Sequence, residues 1–440
     1  MISRILKNIF KIPDLRERVL FTLFILAVYR FGIYVTAPGV DRIVMQKVMA
    51  TQGSGTLLGL FNMFSGGAIE QLSIFALGIM PYISASIIMS LLAVVVPQIE
   101  ELQKEGEQGR KKITQYTRYG TVLLCIFQGF MMSKFLESIT GPGGESVVAH
   151  PGWFFRVMTV VTLTTGTLFL MWLGEQITGK GIGNGISLII FASIVARFPQ
   201  MFFQMGKMLE KQLIKPWMIV VFLLVMIVAF GVIVFVESAQ RRIPIQYARS
   251  VAGRGRQVQN SHLPMKVNVA GVIPPIFASA LLVFPATVST FFEADWIGTL
   301  QAMLQPGGWL YNMLFILLIF FFAYFYAFVQ FKTDDVAENL NKQGGYIPGI
   351  RPGKETASYL ETVLSRLTFG GGVYLAAVSM IPDILRTTME LPFHMGGTSL
   401  LIVVGVAMDM SNQIESYLIS NNYEGFSIGG KRGMVKGRRG

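Results

Sequence analysis

Apolar runs of membrane-crossing length, separated by shorter polar or basic stretches, dominate the chain. The clearest is Ser73–Val96, SIFALGIMPYISASIIMSLLAVVV, which has no charged residue. About 20 apolar residues in a helix cover the ~30 Å hydrocarbon core of a bilayer. By this measure ten spans are predicted, at about 19–36, 73–96, 117–136, 153–175, 183–203, 216–237, 270–290, 309–331, 361–382 and 397–416. The fifth is interrupted near its end by Arg197 and Pro199. Pro81 lies inside the second run, where it breaks the helical hydrogen-bond ladder and predicts a kink. A half-length apolar piece, Leu57-Leu58-Gly59-Leu60-Phe61-Asn62-Met63-Phe64, precedes that run and joins it through Ser65-Gly66-Gly67. A short apolar segment on a glycine hinge suits a protein that lines a path and closes it.

Ten spans divide into two sets of five. The expected organisation is an N-terminal half at 1–203, a hinge connection at 204–215, a C-terminal half at 216–420 and a basic tail at 421–440. An odd number of spans per half forces opposite orientations, so halves of one fold form an inverted repeat. The second span of each half is the proline-broken one: Pro81 in the first half, and Pro274, Pro275 and Pro285 in 270–290. Paired interruptions at matching positions point to the working interface. Helices 2 and 7 are therefore the expected moving seam. The predicted class is an all-α polytopic membrane protein.

Composition agrees. The chain is 52% hydrophobic and 14% charged, with a mean hydropathy of +0.54, against roughly 25% charged residues in a soluble domain. The formal net charge of +12 is first an orientation signal, because basic loops stay in the cytoplasm. With ten spans, about 25 Lys and Arg fall on the side of both termini. On the opposite side, loops 137–152 and 291–308 hold none. Both termini are thus expected in the cytoplasm. The first run lacks a small-residue cleavage site and is expected to be retained. The lone Cys125 lies in an apolar run and forms no internal disulfide.

Two loops on the basic side exceed a simple connection. Loop 238–269 carries Arg241, Arg242, Arg249, Arg254, Arg256 and Lys266, and Arg241–Arg249 and Gln257–Gln259 flank the turn Gly253–Gly255, which predicts a hairpin. Loop 332–360 carries Lys332, Lys342, Arg351 and Lys354 and is rich in turn residues. Contact with anionic lipids accounts for part of this charge.

The spans lack the chemistry of other membrane machines. Charges within them sit mostly toward their ends, and His150, His262 and His394 lie in loops without forming a ligand cluster. No metal constellation or phosphate-binding loop is present, so no cofactor is expected. Gly181-Ile182-Gly183-Asn184-Gly185 joins two spans and reads as a tight turn with close helix packing. An ion-coupled transporter needs buried ionisable groups near mid-bilayer. Physics alone keeps an inverted-repeat secondary transporter as the alternative, and copurification with a small membrane subunit discriminates the two.

The stretches FNMFSGG at 61–67, IFALGIMPYISASI at 74–87, EGEQGRKKITQYTRYGT at 105–121, FLMWLGEQIT at 169–178, GIGNGIS at 181–187, QRRIPIQYA at 240–248, HLPMKVNVAGVIPPIFAS at 262–279, PGIRPG at 348–353 and GGTSLLIVV at 396–404 together resemble the SecY family, the central subunit of the bacterial protein-conducting channel. They run in the family's order over nearly the whole chain.

The resemblance implies a clamshell of two five-helix halves with a pore between them. It implies a pore ring of Ile79, Ile83, Ile186, Ile190, Ile276 and Ile402. A plug over 57–71 would include Leu57, Leu60, Asn62, Met63, Phe64, Ser65, Gly66 and Gly67. A lateral gate between helices 2 and 7 would set Ser84, Ile87 and Ile88 against Phe284, with Asn268 opposite Ser90 as a polar latch. Arg241, Arg242, Arg249 and Arg351 would dock partners. The implied partners are the SecE and SecG subunits, the motor ATPase SecA, the ribosome, signal peptides and nascent membrane proteins, YidC and anionic lipids. The implied function is a passive channel in the plasma membrane that hydrolyses nothing. It passes unfolded secretory chains and releases apolar segments sideways into lipid.

Overall fold

The computed structural model describes residues 12–52, 62, 65–141, 144–212, 215–249, 257–289, 308–389 and 397–435. In residues 49–52, 248–249, 257–260, 283–289, 383, 385–389 and 420–435 it describes the backbone alone.

Each of the ten predicted spans overlaps a helix over part of its length. The first half holds α1 (Pro13–Gly32), α2 (Arg42–Gln52), α3 (Met80–Val95), α4 (Pro97–Lys104), α5 (Glu107–Ser138), α6 (Trp153–Lys180), α7 (Gly185–Val195) and α8 (Phe198–Glu210). The second holds α9 (Pro216–Ser238), β1 (Gln240–Arg249), β2 (Gln257–Lys266), α10 (Ile273–Ser289), α11 (Trp309–Gln330), α12 (Thr333–Lys342), β3 (Gly345–Tyr346), α13 (Lys354–Met389) and α14 (Gly397–Val435). Among the described residues, six helices are long and apolar enough to cross a membrane, taking α7 with α8 and α11 with α12 as single spans. The bent pair α3–α4 makes a seventh. α1 falls short because Asp14, Arg16, Glu17, Arg18 and Arg30 interrupt it.

The outer surface of α9 exposes Val220, Leu224, Ile227, Val228 and Phe235 side by side. A surface this apolar belongs in lipid, not water, and the chain is a multi-pass membrane protein.

Three local readings change. Pro81 does not kink a long helix. It sits in the first turn of α3, where its missing N–H costs nothing. Residues 74–79 before it form successive turns, pinned where the Ser73 hydroxyl donates to the Gly32 carbonyl at 3.0 Å. The sharp bend comes instead at Val96, where α3 and α4 turn by 98° ahead of Pro97. Residues 204–210 of the expected hinge are helical and belong to α8.

The predicted hairpin is present and larger than expected. β1 and β2 pair antiparallel from Gln240 opposite Lys266 to Arg249 opposite Gln257. β3, which the sequence did not announce, pairs with the other edge of β1. Alternation along β1 exposes Arg242 and Pro244 and buries Ile243 and Ile245. Ile243 and Met265 pack with Ala327, Ile347, Leu360 and Leu364, seating the sheet on α11 and α13.

The principal contacts between the halves are α3 against α10 and α7 against α14. One large apolar cluster fills the space between these seams.

Candidate pore and lateral seam

The six candidate ring residues come from the four helices that meet across the halves. Ile79 caps the start of α3 and Ile83 follows one turn later, its amide bonded to the Ile79 carbonyl at 3.1 Å. Ile186 and Ile190 lie one turn apart on α7, Ile276 is on α10 and Ile402 on α14. Ile79, Ile83, Ile190, Ile276 and Ile402 are buried members of the same cluster, and Ile186 packs against it half-buried. None faces the outer surface.

Local sequence explains how α7 is aimed. Asn184 caps it, its side-chain oxygen accepting from the amides of Ile186 and Ser187 at 3.1 and 3.4 Å. Gly183 takes a left-handed backbone, φ 86°, which glycine adopts without steric cost. Gly185 lies directly against the Gly174 carbonyl of α6, with no room for a side chain. This close approach sets Ile186 and Ile190 one turn further along.

Sequence reading missed one correspondence between the halves. Leu77-Gly78-Ile79-Met80-Pro81-Tyr82-Ile83-Ser84-Ala85-Ser86 parallels Ala270-Gly271-Val272-Ile273-Pro274-Pro275-Ile276-Phe277-Ala278-Ser279. Gly78 and Gly271 both take left-handed backbone, φ 58° and 64°. Pro81 and Pro274 both open helices, Ile83 and Ile276 both join the central cluster, and Ala85 and Ala278 are both buried. The spacing G-x-x-P-x-I-x-A-S was the signal that could have revealed it.

The seam residues separate. Ser84 and Ser90 are half-buried, Ile87 is buried, and Ile88 points outward at 47% exposure. Neighbours on a helix lie about 100° apart, so Ile87 and Ile88 do not share a face. Phe284 is on α10, with its side chain outside the described residues. The expected latch is not formed. The Asn268 amide donates to Glu237 at 2.7 Å and to the Gly271 carbonyl at 2.9 Å, while the Ser90 hydroxyl donates to the Ser86 carbonyl within its own helix. Glu237 was missed because it reads as an ordinary charge at a span end.

Of the candidate plug residues, Leu57, Leu60, Met63 and Phe64 lie outside the described residues. Asn62, Ser65 and Gly66 are buried and Gly67 is half-buried. Gly66 and Gly67 have φ of 68° and 91°.

Arg241 and Arg242 are exposed on β1. Arg249 ends that strand, with its side chain outside the described residues. Arg351 is exposed ahead of α13, and its carbonyl accepts from the Thr356 hydroxyl at 2.8 Å. The halves also face each other across a groove of about 680 Å³ between α4–α5 and the α11–α12 junction, lined in part by Arg110, Lys332 and Asp335. Among the described residues no His, Cys, Asp and Glu cluster could hold a metal ion.

Two helical bundles that meet at two seams around a shared apolar cluster form a multi-pass helical membrane fold. Comparisons make the assignment specific. The SecY family pattern matches residues 73–411. The protein translocase subunit SecY of Escherichia coli K12 is 48% identical over 419 residues, covering 93% of each chain. A solved protein-conducting channel shares the fold with a TM-score of 0.65 at 18% identity, covering 92% of this chain and 93% of that one. Sec61 in the canine ribosome–channel complex from the endoplasmic reticulum follows at 0.61 and 17%, with coverage of 92% and 93%. The chain belongs to the SecY family.

Proposed function

We propose that the chain is a gated conduit for unfolded polypeptide. Ten spans form two oppositely oriented halves of five, with both termini in the cytoplasm and the plasma membrane as the site of action. What supports this most is that one buried cluster takes isoleucines from all four helices at the two seams. Branched aliphatic walls dewet a narrow throat, and an ion crossing it loses hydration without compensation. The same walls offer a passing chain no hydrogen bonds, so diverse sequences slide through. The six isoleucines are the constriction in this reading, and residues 57–71 close it from outside.

The α3–α10 seam is the exit into lipid. An apolar segment gains roughly 0.3–0.6 kcal/mol per Leu, Ile, Phe or Val at its centre by leaving, whereas a charged residue costs roughly 2.5–3.5 kcal/mol. Partitioning at the seam thus separates membrane anchors from secreted segments. Exposed Arg241, Arg242 and Arg351, together with Arg249, suit a docking face for the ribosome or SecA, because a guanidinium fork pairs with phosphate or carboxylate. Energy comes from those partners or from the membrane potential. SecE and SecG complete the pore complex, YidC receives released anchors, and Arg110 and Lys332 beside the groove meet anionic lipid.

The test is reconstitution with SecE, SecG, SecA, ATP and a labelled preprotein. The expected result is ATP-dependent protection of the preprotein inside vesicles. An assembled complex that protects none while transporting a small solute saturably favours the transporter alternative.

A further inference from the structure

The short segment leading into α3 is held by charge and hydrogen bonds, beside a large central cluster of apolar side chains. Asn62 closes it on itself. Its carbonyl accepts from the Gly67 amide at 2.9 Å, its side-chain oxygen accepts from the Glu70 amide at 3.1 Å, and its side-chain amide donates to the Glu70 carboxylate at 3.4 Å. The resulting turn presents the Ser65 and Gly66 carbonyls on one side and the Glu70 carboxylate at its base.

Groups from two helices meet these acceptors. α1 and α7 start at the same end of the bundle, where Leu15 and Ile182 share a cluster. Tyr29, Arg30, Ser193 and Arg197 therefore gather at the other end. Arg30 donates to the Gly66 carbonyl at 3.2 Å. Arg197, at the break between α7 and α8, pairs with Glu70 at 3.9 Å, with the two side chains 30% and 24% exposed. The Ser193 hydroxyl donates to the Ile189 carbonyl at 2.7 Å. The single Tyr29 hydroxyl proton is thus shared between Ser193 and the Ser65 carbonyl at 3.4 Å. A side chain at Gly66 would sit 3.0 Å from Ser193 Cα and 3.1 Å from the Tyr29 hydroxyl. Glycine is favoured there by its left-handed φ of 68° and by a tight fit in which the neighbours of any side chain would have to yield slightly. The Gly66-Gly67 pair is a docked turn before it is a hinge.

We propose that Tyr29, Arg30, Ser193 and Arg197 form a polar clasp that positions the plug root and sets how readily the plug is displaced. The inference rests on reading residues 57–71 as the plug. Apolar contacts slide continuously, whereas these bonds are directional and break together when the root leaves. The Arg197–Glu70 pair is the member most open to test by charge reversal, because separating half-buried partners removes each charge's opposite partner. Tyr29, Arg30, Ser193 and Arg197 are positioning residues: they act on the pore through the plug and do not line it.

The test is single-channel conductance of the complete complex in planar bilayers. Arg197→Glu and Glu70→Arg are each expected to raise the resting open probability by about tenfold or more, because either places like charges together. The exchanged pair, Arg197→Glu with Glu70→Arg, is expected to return it toward the parent value. Tyr29→Phe removes one hydroxyl and leaves the ring, so it reports on the clasp even where a charge variant fails to assemble. A smaller rise in resting opening is expected from it. Parent-level conductance in Tyr29→Phe and in every charge variant that assembles would overturn the clasp, as would an exchanged pair no tighter than the singles. A deletion of residues 57–67, measured alongside, separates the two readings. If the deletion leaks and the clasp variants do not, the plug stands and the clasp falls. If neither leaks, the plug reading falls and takes the clasp with it.

Discussion

The amide of Asn268 donates to the carboxylate of Glu237 across 2.7 Å, tying the entry to α10 back to the last turn of α9. The bond keeps the start of the seam helix within its own half. Asn268 is only 3% exposed, and the half-buried Glu237 carboxylate is left less well solvated when it loses this donor. Asn268→Leu is expected to cost about 1.5–3 kcal/mol, the range for bonds to charged groups, read as a lower Tm of the detergent-solubilised protein. An unchanged Tm would make the bond dispensable.

Gly185 is set by space. A Cβ there would collide with the Gly174 carbonyl and lie 2.8 Å from Ile177 Cβ. Gly185→Ala forces α6 and α7 apart and is expected to cost about 1–3 kcal/mol, as overpacked sites do. Ile186 and Ile190 move with α7, so higher ion conductance is expected together with a lower Tm. A variant as tight and as stable as the parent shows that the two helices have slack.

Deleting residues 57–67 is expected to leave a complex that assembles and copurifies with its partners but leaks ions. Conductance in planar bilayers decides the matter. Equality with the parent removes the plug from this segment.

Cysteines placed at 84 and 284, on helices α3 and α10 that pack together, are expected to lock the seam once oxidised. Export of a preprotein should stop and resume on adding reductant. Unimpeded export with the bridge fully formed excludes a lateral opening between these helices.

Arg351→Glu reverses one exposed charge between β3 and α13. Motor-driven export is expected to fall severalfold with little change in Tm, because an exposed side chain contributes little to stability. Vesicle protection assays run beside thermal unfolding separate the two effects. Normal export takes Arg351 off the docking face.

Helix placement was largely legible in the sequence. Apolar length locates each span because lipid leaves the backbone only internal hydrogen-bond partners. The stretches Arg241–Arg249 and Gln257–Gln259 on either side of a glycine-rich turn located the β1–β2 hairpin. β3 has two residues, too few for any pattern. Pro81 misled for a definite reason. An apolar run reads the same as helix or as buried turns, and the choice lay with Ser73 and Gly32, which are far apart in the chain. Ser90 looked like a partner for Asn268 because family position implied it, whereas geometry gave each a nearer acceptor.

The site divides along the same line. The aliphatic candidates came from the family resemblance, whereas the chain alone determined its membrane class and its pair of proline-bearing seam segments, since these follow from local composition and spacing. It did not determine which groups meet. Tyr29, Ser65, Ser193 and Arg197 are spread over three separate segments, and Glu237 meets Asn268 only because a hairpin folds back. Side chains that short reach one another only after the helices have packed, so tertiary structure alone decided those pairings.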